Sequence, residues 1–209
     1  TKENPTHIAV AFDHGLTFRH EAFPEYKAQR EETPEDIKLS VPYIKQILEA
    51  MHIPILQVDG FEADDIIGTV ATLAGSKGIT TFMLTPDKDY GQLIRENVYM
   101  YRPRHGGGYD VVGMNEVEDR YGIPTPAQVI DLLALMGDSA DNFPGCPGVG
   151  EKTAAKLINQ FGSIDNMLEH TDQIKGKLRE KVEAAVDDIK MSKFLATIRT
   201  DVPIDMEWD

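Results

Sequence analysis

Short apolar runs alternate with segments of helical period over the first half of the chain. "THIAVAFD" (6–13) is a short apolar strand ending on Asp13, and "IPILQV" (53–58) reads as a buried strand. Between them, "TPEDIKLSVPYIKQILEAM" (33–51) starts like a helix. Thr33 can cap it, Pro34 suits the first turn, and Asp36 follows three residues after the cap. "EADDIIGTVATLAGSKG" predicts a helix closed by glycine, and "ITTFMLTPDKD" a further strand ending on acids. "NVYMYRPRHGGGYDVV" reads as strand, glycine turn, strand. The alternation predicts βαβ units and a mainly parallel α/β sheet over residues 6–101.

After about residue 114 the pattern becomes helical. In "TPAQVIDLLALMGD" Thr125 is the cap, Pro126 the first turn and Gln128 the capping-box position. "GVGEKTAAKLINQFGSIDNMLE" predicts two short helices joined at Gly162, and "KGKLREKVEAAVDDIKMSKFLATI" one long helical stretch. The expected architecture is an α/β body followed by a helical C-terminal portion.

Composition changes the picture in two places. No stretch approaches the length of an apolar membrane span, and the single Cys146 points to a reducing compartment rather than a disulfide framework. The net charge of −14 by itself argues against nucleic acid. Its distribution argues otherwise: residues 61–150 hold 13 acids and 6 bases, whereas residues 151–200 hold 8 acids and 9 bases. A concentrated anionic centre is either a solvated face or a site offset by bound cations.

Many of those acids sit at expected strand and helix ends. Asp13 ends one strand, Glu62, Asp64 and Asp65 follow a second, and Asp87 and Asp89 follow a third. Asp138 and Asp141, in "GDSADN", end a later helix with spacing for one face. In parallel α/β sheets the carboxyl ends of the strands share the ligand-binding edge, so eight acids are expected to converge. Capping accounts for any one of them; convergence demands cations. Oxygen-only ligands select Mg²⁺ or Mn²⁺, and two such ions clamp the oxygens of an in-line phosphoryl displacement.

Two further segments handle phosphate. In "PGCPGVGEKTAAKL" (144–157) the Gly148-Val149-Gly150 turn opens a helix near Lys152, whose start attracts anions, with Thr153 and Lys156 beside it. It lacks the Walker A spacing and reads as a helix–hairpin–helix, with a plain helical corner as the alternative. In "TFRHEAFPEYKAQR" (17–30) Arg19, Lys27 and Arg30 interleave with Phe18, Phe23 and Tyr26, a pattern that contacts phosphate and stacks bases unless it is a solvated amphipathic helix. "KGKLREK" (175–181) reads first as a solvated helix face, with phosphate contact second.

The motifs "FDHGLTFRHEAFPEYKAQR", "GFEADDIIGT", "TPDKDYGQLI", "LMGDSADNFPGCPGVGEKTAAKLI", "IKGKLREK" and "LATIRTDVPI" run in order along essentially the whole chain. Together they resemble the 5′ nuclease domains of bacterial DNA polymerases I, within the flap endonuclease superfamily. The resemblance implies a PIN-like core over residues 1–120, with a helical arch at about 17–50, and a helical helix–hairpin–helix portion over 121–209. It implies hydrolysis of DNA phosphodiesters at 5′ ends, nicks or 5′ flaps in the bacterial nucleoid, with a polymerase domain continuous with the chain. Asp13, Glu62, Asp64 and Asp65 match one metal region; Asp87, Asp89, Asp138 and Asp141 match the other. Tyr26, Lys27 and Arg30 match the arch, and Arg19 and Lys27 would neutralise charge on the scissile phosphate. The Gly148–Gly150 turn would hold duplex DNA, with K⁺ a further candidate there.

Two departures stand out. The family's first strand, ending in Asp-Gly with a metal-ligating Asp, lies just upstream of Thr1, so the chain is expected to be a fragment. The usual "TGDKD" is "TPDKD", placing Pro86 where the family has glycine. The first departure keeps open a structure-selective DNA-binding module without turnover. An RNA-directed PIN nuclease is a third possibility, disfavoured by the hairpin.

Overall fold

A computed structural model describes residues 4–206. Glu207, Trp208 and Asp209, the last residues of the expected polymerase junction, fall outside that range. The first strand is brief: β1 (Val10–Ala11) pairs in parallel with β2 (Ile55–Leu56), and both are half-buried, β2 against the expectation of a buried strand. Helix α1 (Phe18–Ala22) and α2 (Glu35–Ala50) lie between them. The α2 cap is Pro34 rather than Thr33; Pro34 is extended, with no side-chain cap bond at that end. No residue of α2 is fully buried; Val41, Lys45 and Leu48 are half-buried, and Lys45 donates to Gln57 Oε1 at 2.7 Å.

Helix α3 (Ala63–Ser76) leads to β3 (Thr81–Leu84), which pairs in parallel with β4 (Val98–Pro103). The Gly106–Gly108 turn, at positive φ throughout, reverses the chain into β5 (Tyr109–Val112), antiparallel to β4. The mainly parallel sheet that the sequence predicts forms in two parts, β1–β2 and β3–β4–β5, with β5 antiparallel and no ladder joining the parts among the described residues. The outer face of the second sheet carries Phe82, Leu84, Tyr109 and Val111 to solvent, while Met83, Val98, Met100 and Val112 alternate inward.

The helical portion follows the predicted caps. Helix α4 (Met114–Tyr121) ends on Gly122 in the left-handed region. A 3₁₀ turn (Pro126–Gln128) runs into α5 (Val129–Met136), and Gln128 Oε1 accepts the Thr125 N–H at 3.0 Å, as the capping box requires. Helices α6 (Glu151–Phe161) and α7 (Ile164–Glu169) join at Gly162, φ +79°. The long helix expected after residue 175 is two, α8 (Lys177–Ala184) and α9 (Val186–Ala196), broken at Ala185. Ala185 is buried, with φ −106° and ψ 16°, and packs into the core instead of continuing the helix.

One core unites both portions. It runs from Tyr26, Ala71 and Met83 through Leu132, Leu135, Leu157 and Ile158 to Ile189, Leu195 and Ile198. The C-terminal strap returns to the α/β body: Gly68 on α3 has no room for a side chain because Ile198 Cγ2 lies 2.8 Å from where a Cβ would stand. The loop after α5 is drawn tight by two glycines. A Cβ on Gly145 would sit 2.2 Å from the Gly137 nitrogen, and Asp138 exchanges backbone hydrogen bonds with Phe143 at 3.0 Å each way. Asp138 and Asp141 thus ride on a closed loop, not on one face of a helix.

Candidate active site

The first turn of α3 concentrates like charge, and a buried guanidinium answers it. Arg19, only 2% exposed, uses all five of its N–H donors. Its fork meets Asp65 at 2.7 and 2.8 Å, a third bond goes to Glu62 at 3.2 Å, and the last two go to the carbonyls of Leu195 and Thr197 at 2.9 and 2.7 Å. Asp65 is equally committed. Besides the fork it accepts the N–H of Arg199 at 2.8 Å and of Glu62 at 3.1 Å, so its four acceptor positions are filled. This corrects two sequence expectations. Asp65 has no lone pair left for a metal, and Arg19 has no N–H left for a phosphate; together they fasten α1, α3 and the end of α9.

Glu62 caps α3 and passes the contact outward. Its Oε1 accepts from Lys27 Nζ at 2.6 Å, and its Oε2 lies 3.1 Å from the Tyr26 hydroxyl. That hydroxyl also lies 3.2 Å from Asp141 Oδ2, so one phenol bridges acids from opposite halves of the chain. Tyr26 is 3% exposed, and burial beside those two acids pushes its pKa far up. It cannot stack on a base, which corrects the reading of its segment. Phe18, packed on Phe61 and Phe194 at 5.8 and 5.7 Å, and Phe23 are internal packing as well.

The stretch 24–30 is a turn, not a continuation of α1, and it docks on the 138–142 loop. Lys27 N–H donates to the Asp141 carbonyl at 3.0 Å, Arg30 Nε to Ala140 at 3.2 Å, and Asn142 reaches the Glu25 carbonyl at 2.7 Å. Arg30 also grips the Asp141 carboxylate. Lys27 holds φ +56°, a conformation uncommon for a side-chain-bearing residue, and the turn carries its ammonium onto Glu62.

The remaining acids form a looser group. Asp64 accepts from the Tyr90 hydroxyl at 2.6 Å. Burial, with Glu62 and Asp87 nearby, pushes its pKa up to about 6. Asp89 rises to about 7 through burial and the charges of Asp87, Asp138 and Asp141. Its Oδ1 is buried without any partner. Asp87 accepts the Asp89 N–H at 2.9 Å, and Asp138 accepts the Ala140 N–H at 2.7 Å and faces Lys88 at 3.4 Å. Asp13 is exposed and accepts the Ala63 N–H at 2.7 Å. Sequence reasoning passed over Tyr90, although it directly follows "DKD".

The eight acids therefore do not converge on one point. Among the described residues no three His, Cys, Asp or Glu side chains stand together as a ready-made metal cluster. The donor set nonetheless suits a hard divalent cation. It is all carboxylate oxygen, one such oxygen is buried and unpartnered, and burial together with neighbouring acids raises the pKa of Asp64 and Asp89.

At the hairpin, Gly148 takes φ +76° and Gly150 caps α6. Among the described residues the N–H groups of Gly150, Glu151 and Lys152 have no backbone acceptor, while that of Val149 donates to the Cys146 carbonyl at 3.0 Å. Val149 is 4% exposed, so neither its side chain nor its amide is offered to DNA, against expectation. Glu151, an acid at an anion-attracting helix start, is drawn aside by Arg120 at 2.7 Å. Lys152 and Lys156 are exposed, and Thr153 is half-buried.

Comparison with known proteins places these features in a family. Residues 1–122 match the family described as 5'-3' exonuclease, N-terminal resolvase-like domain, and residues 124–209 match 5'-3' exonuclease, C-terminal SAM fold. DNA polymerase I of Bacillus subtilis is 45% identical over 98% of this chain, which covers 23% of that protein; the chain spans about a quarter of the length of the curated relatives it matches. T5 5'-exonuclease with bound divalent metal ions (zinc) superposes with TM-score 0.78 at 24% identity, covering 95% of this chain and 77% of its own. The catalytic core of Rad2 in complex with DNA substrate gives TM-score 0.58 at 18% identity, over 91% and 64%. The two solved structures speak to fold: an α/β resolvase-like domain with a helical C-terminal domain.

Two outcomes follow from this geometry. Replacing Arg19 by Ala leaves Asp65 buried and uncompensated and should cost about 3–5 kcal/mol in urea unfolding, with Arg19→Lys restoring little because an ammonium cannot reproduce the fork. The second concerns pH. Asp64 and Asp89 titrate near pH 4 in the unfolded chain but near 6 and 7 when folded, so the folded state binds the extra protons. Their contribution to stability is full below pH 4 and is lost as pH rises through 6 to 7. In EDTA, Asp89→Asn should therefore gain on the parent in melting temperature as pH rises from 4 to 8, most of all at pH 8; a difference that stays constant over that range would show that the Asp89 pKa is not raised.

Proposed function

The chain belongs to the 5′–3′ exonuclease family, and from that premise we propose that it is the divalent-metal-dependent 5′ nuclease domain of a bacterial DNA polymerase I, hydrolysing phosphodiesters near 5′ ends, nicks or flaps of DNA. In this reading residues 1–120 are the nuclease core, residues 121–209 the DNA-holding portion, a polymerase domain is continuous with the chain, and the setting is the bacterial nucleoid. The observation that carries the metal assignment is the buried, unpartnered Asp89 oxygen among mutually repelling acids.

Asp64, Asp87 and Asp89, with Asp13 and Asp138 at the margin, are the residues that would hold two Mg²⁺ or Mn²⁺ ions. Such ions, when bound, supply charge stabilisation to the phosphoryl oxygens. Glu62 and Asp141 serve differently: they hold Lys27 and Arg30 at the edge of the acidic region. Lys27 is partly and Arg30 half exposed, so both can face a phosphate entering beside the acids. Tyr26 and Tyr90 fix carboxylate positions from inside. At the other end, the free amides of Gly150, Glu151 and Lys152, with Lys152, Thr153 and Lys156, grip backbone phosphate without reading bases. A K⁺ ion at the Gly148–Gly150 turn belongs to the same reading.

A second reading, a structure-selective DNA-binding module without turnover, draws on the absence of a three-acid cluster among the described residues. One experiment separates the two. The intact gene product is incubated with a 5′-flap duplex and Mg²⁺ or Mn²⁺. The nuclease reading expects release of the flap and a loss of about 100-fold or more in rate for Asp87→Ala, with affinity for the flap kept. Tight binding with no product under either ion, even for the parent protein, would leave only the binding module.

A further inference from the structure

Most described cations of the α/β body are held by acids, whereas several in the helical portion are not. In the α/β body Lys27, Arg30, Lys88, Arg102 and Arg104 all face carboxylates. Among the described residues Lys152, Lys156, Lys175, Lys177, Lys181 and Lys190 take part in no hydrogen bond or ion pair, and all six are exposed. Five of them lie on α6, on α8 or in the turn that leads into α8. In a chain of net charge −14, that gathering leaves positive charge on one face of the helical portion for an external anion.

Two observations give the region a shape. A groove of about 390 Å³ opens between α6 and the start of α8, lined by Thr153, Lys156, Gln160, Gln173 and Lys175. Every polar group there offers a hydrogen-bond donor, and no carboxylate lines it. Farther along α8, the Lys181 ammonium lies directly over the hairpin turn. A Cβ on Gly148 would stand 2.6 Å from Lys181 Nζ, so the glycine leaves space for that ammonium as well as adopting its positive φ. Arg179, by contrast, is turned away onto Glu183 at 2.7 Å. The turn before α8 therefore places Lys175 at the groove and α8 places Lys181 over the hairpin, while Arg179 pairs within the helix.

We infer that α8 and the turn before it form the second wall of a phosphate clamp: Lys175, acting with Lys156, and Lys181 at the hairpin each bind a backbone phosphate of the same DNA that the Gly148–Gly150 turn holds. The inference rests on the DNA-holding role proposed above and adds to it residues from a different helix. It also explains why the "KGKLREK" segment carries lysines that no acid neutralises. Lysine suits such a seat, as a point charge that meets phosphate without demanding a fixed geometry.

Salt dependence reads the clamp directly, because each phosphate contact contributes about 0.9 to the slope of log affinity against log salt. The chain's affinity for a 5′-flap duplex is measured by fluorescence anisotropy over a range of KCl concentrations in EDTA. Lys175→Gln with Lys181→Gln should lower the slope by about 2, each single variant by about 1, and Lys190→Gln by nothing, with melting temperatures unchanged. An unchanged slope in the double variant, while Lys152→Gln lowers it, would overturn the second wall and leave the hairpin role standing. An unchanged slope in Lys152→Gln too would remove both. An equal drop in Lys190→Gln would show diffuse attraction to a basic surface and likewise overturn the clamp.

Discussion

Three carboxylates within four residues cannot share a helix start unless something inside the protein answers their charge. Arg19 is that answer. Its guanidinium meets Asp65 in a two-bond fork, reaches Glu62, and spends its last donors on carbonyls of residues 195 and 197. A buried ion pair of this kind is a weak source of net stability, but leaving either partner alone is costly. Its consequence is positional. With Asp65 bound on all sides, Glu62 is left to orient Lys27 and Tyr26, and Asp64 is turned toward Tyr90 and the charge of Asp87. Adjacent helical residues point about 100° apart, so fixing one acid inward sends its neighbour to the site.

A polarity runs through the molecule as a result. At one end, acids outnumber the cations that reach them, and burial and mutual repulsion hold Asp64 and Asp89 partly protonated. At the other, helix α6 starts with unpaired amides and exposed lysines, and α8 contributes more. The net charge of −14 conceals this division. The fold keeps the two ends in register through one continuous core and through the turn at residues 24–30, whose backbone is bonded to the loop that carries Asp138 and Asp141.

What could be read from the sequence is what local chemistry determines. The Gly106–Gly108 reversal, the Thr125 capping box and the Gly162 junction all form as their residues dictate. Family membership was legible too, because its motifs are contiguous strings. What escaped depends on distant partners. Arg19 reads as a phosphate-binding cation until its bonds to residues 176 and 178 positions away are seen. Tyr26 reads as a stacking residue until the core closes over it. The sheet divides in two because β1 and β3 have no common neighbour among the described residues, and ladder formation is not a local property. Asp65 is the instructive case. Its place three residues after Glu62 is the capping-box spacing, a signal present in the sequence but outweighed by its membership of an acidic cluster.

Neighbouring acids divide the labour, with Asp65 structural and Asp64, Asp87 and Asp89 left for cations. Anomalous scattering from a crystal grown with Mn²⁺ tests it most directly. The predicted result is manganese density in contact with carboxylates from the Asp64, Asp87 and Asp89 group, with both Asp65 oxygens still on the Arg19 fork. Manganese bound to Asp65, with Arg19 displaced, would contradict it, as would a well-ordered acidic edge that takes up no manganese at all.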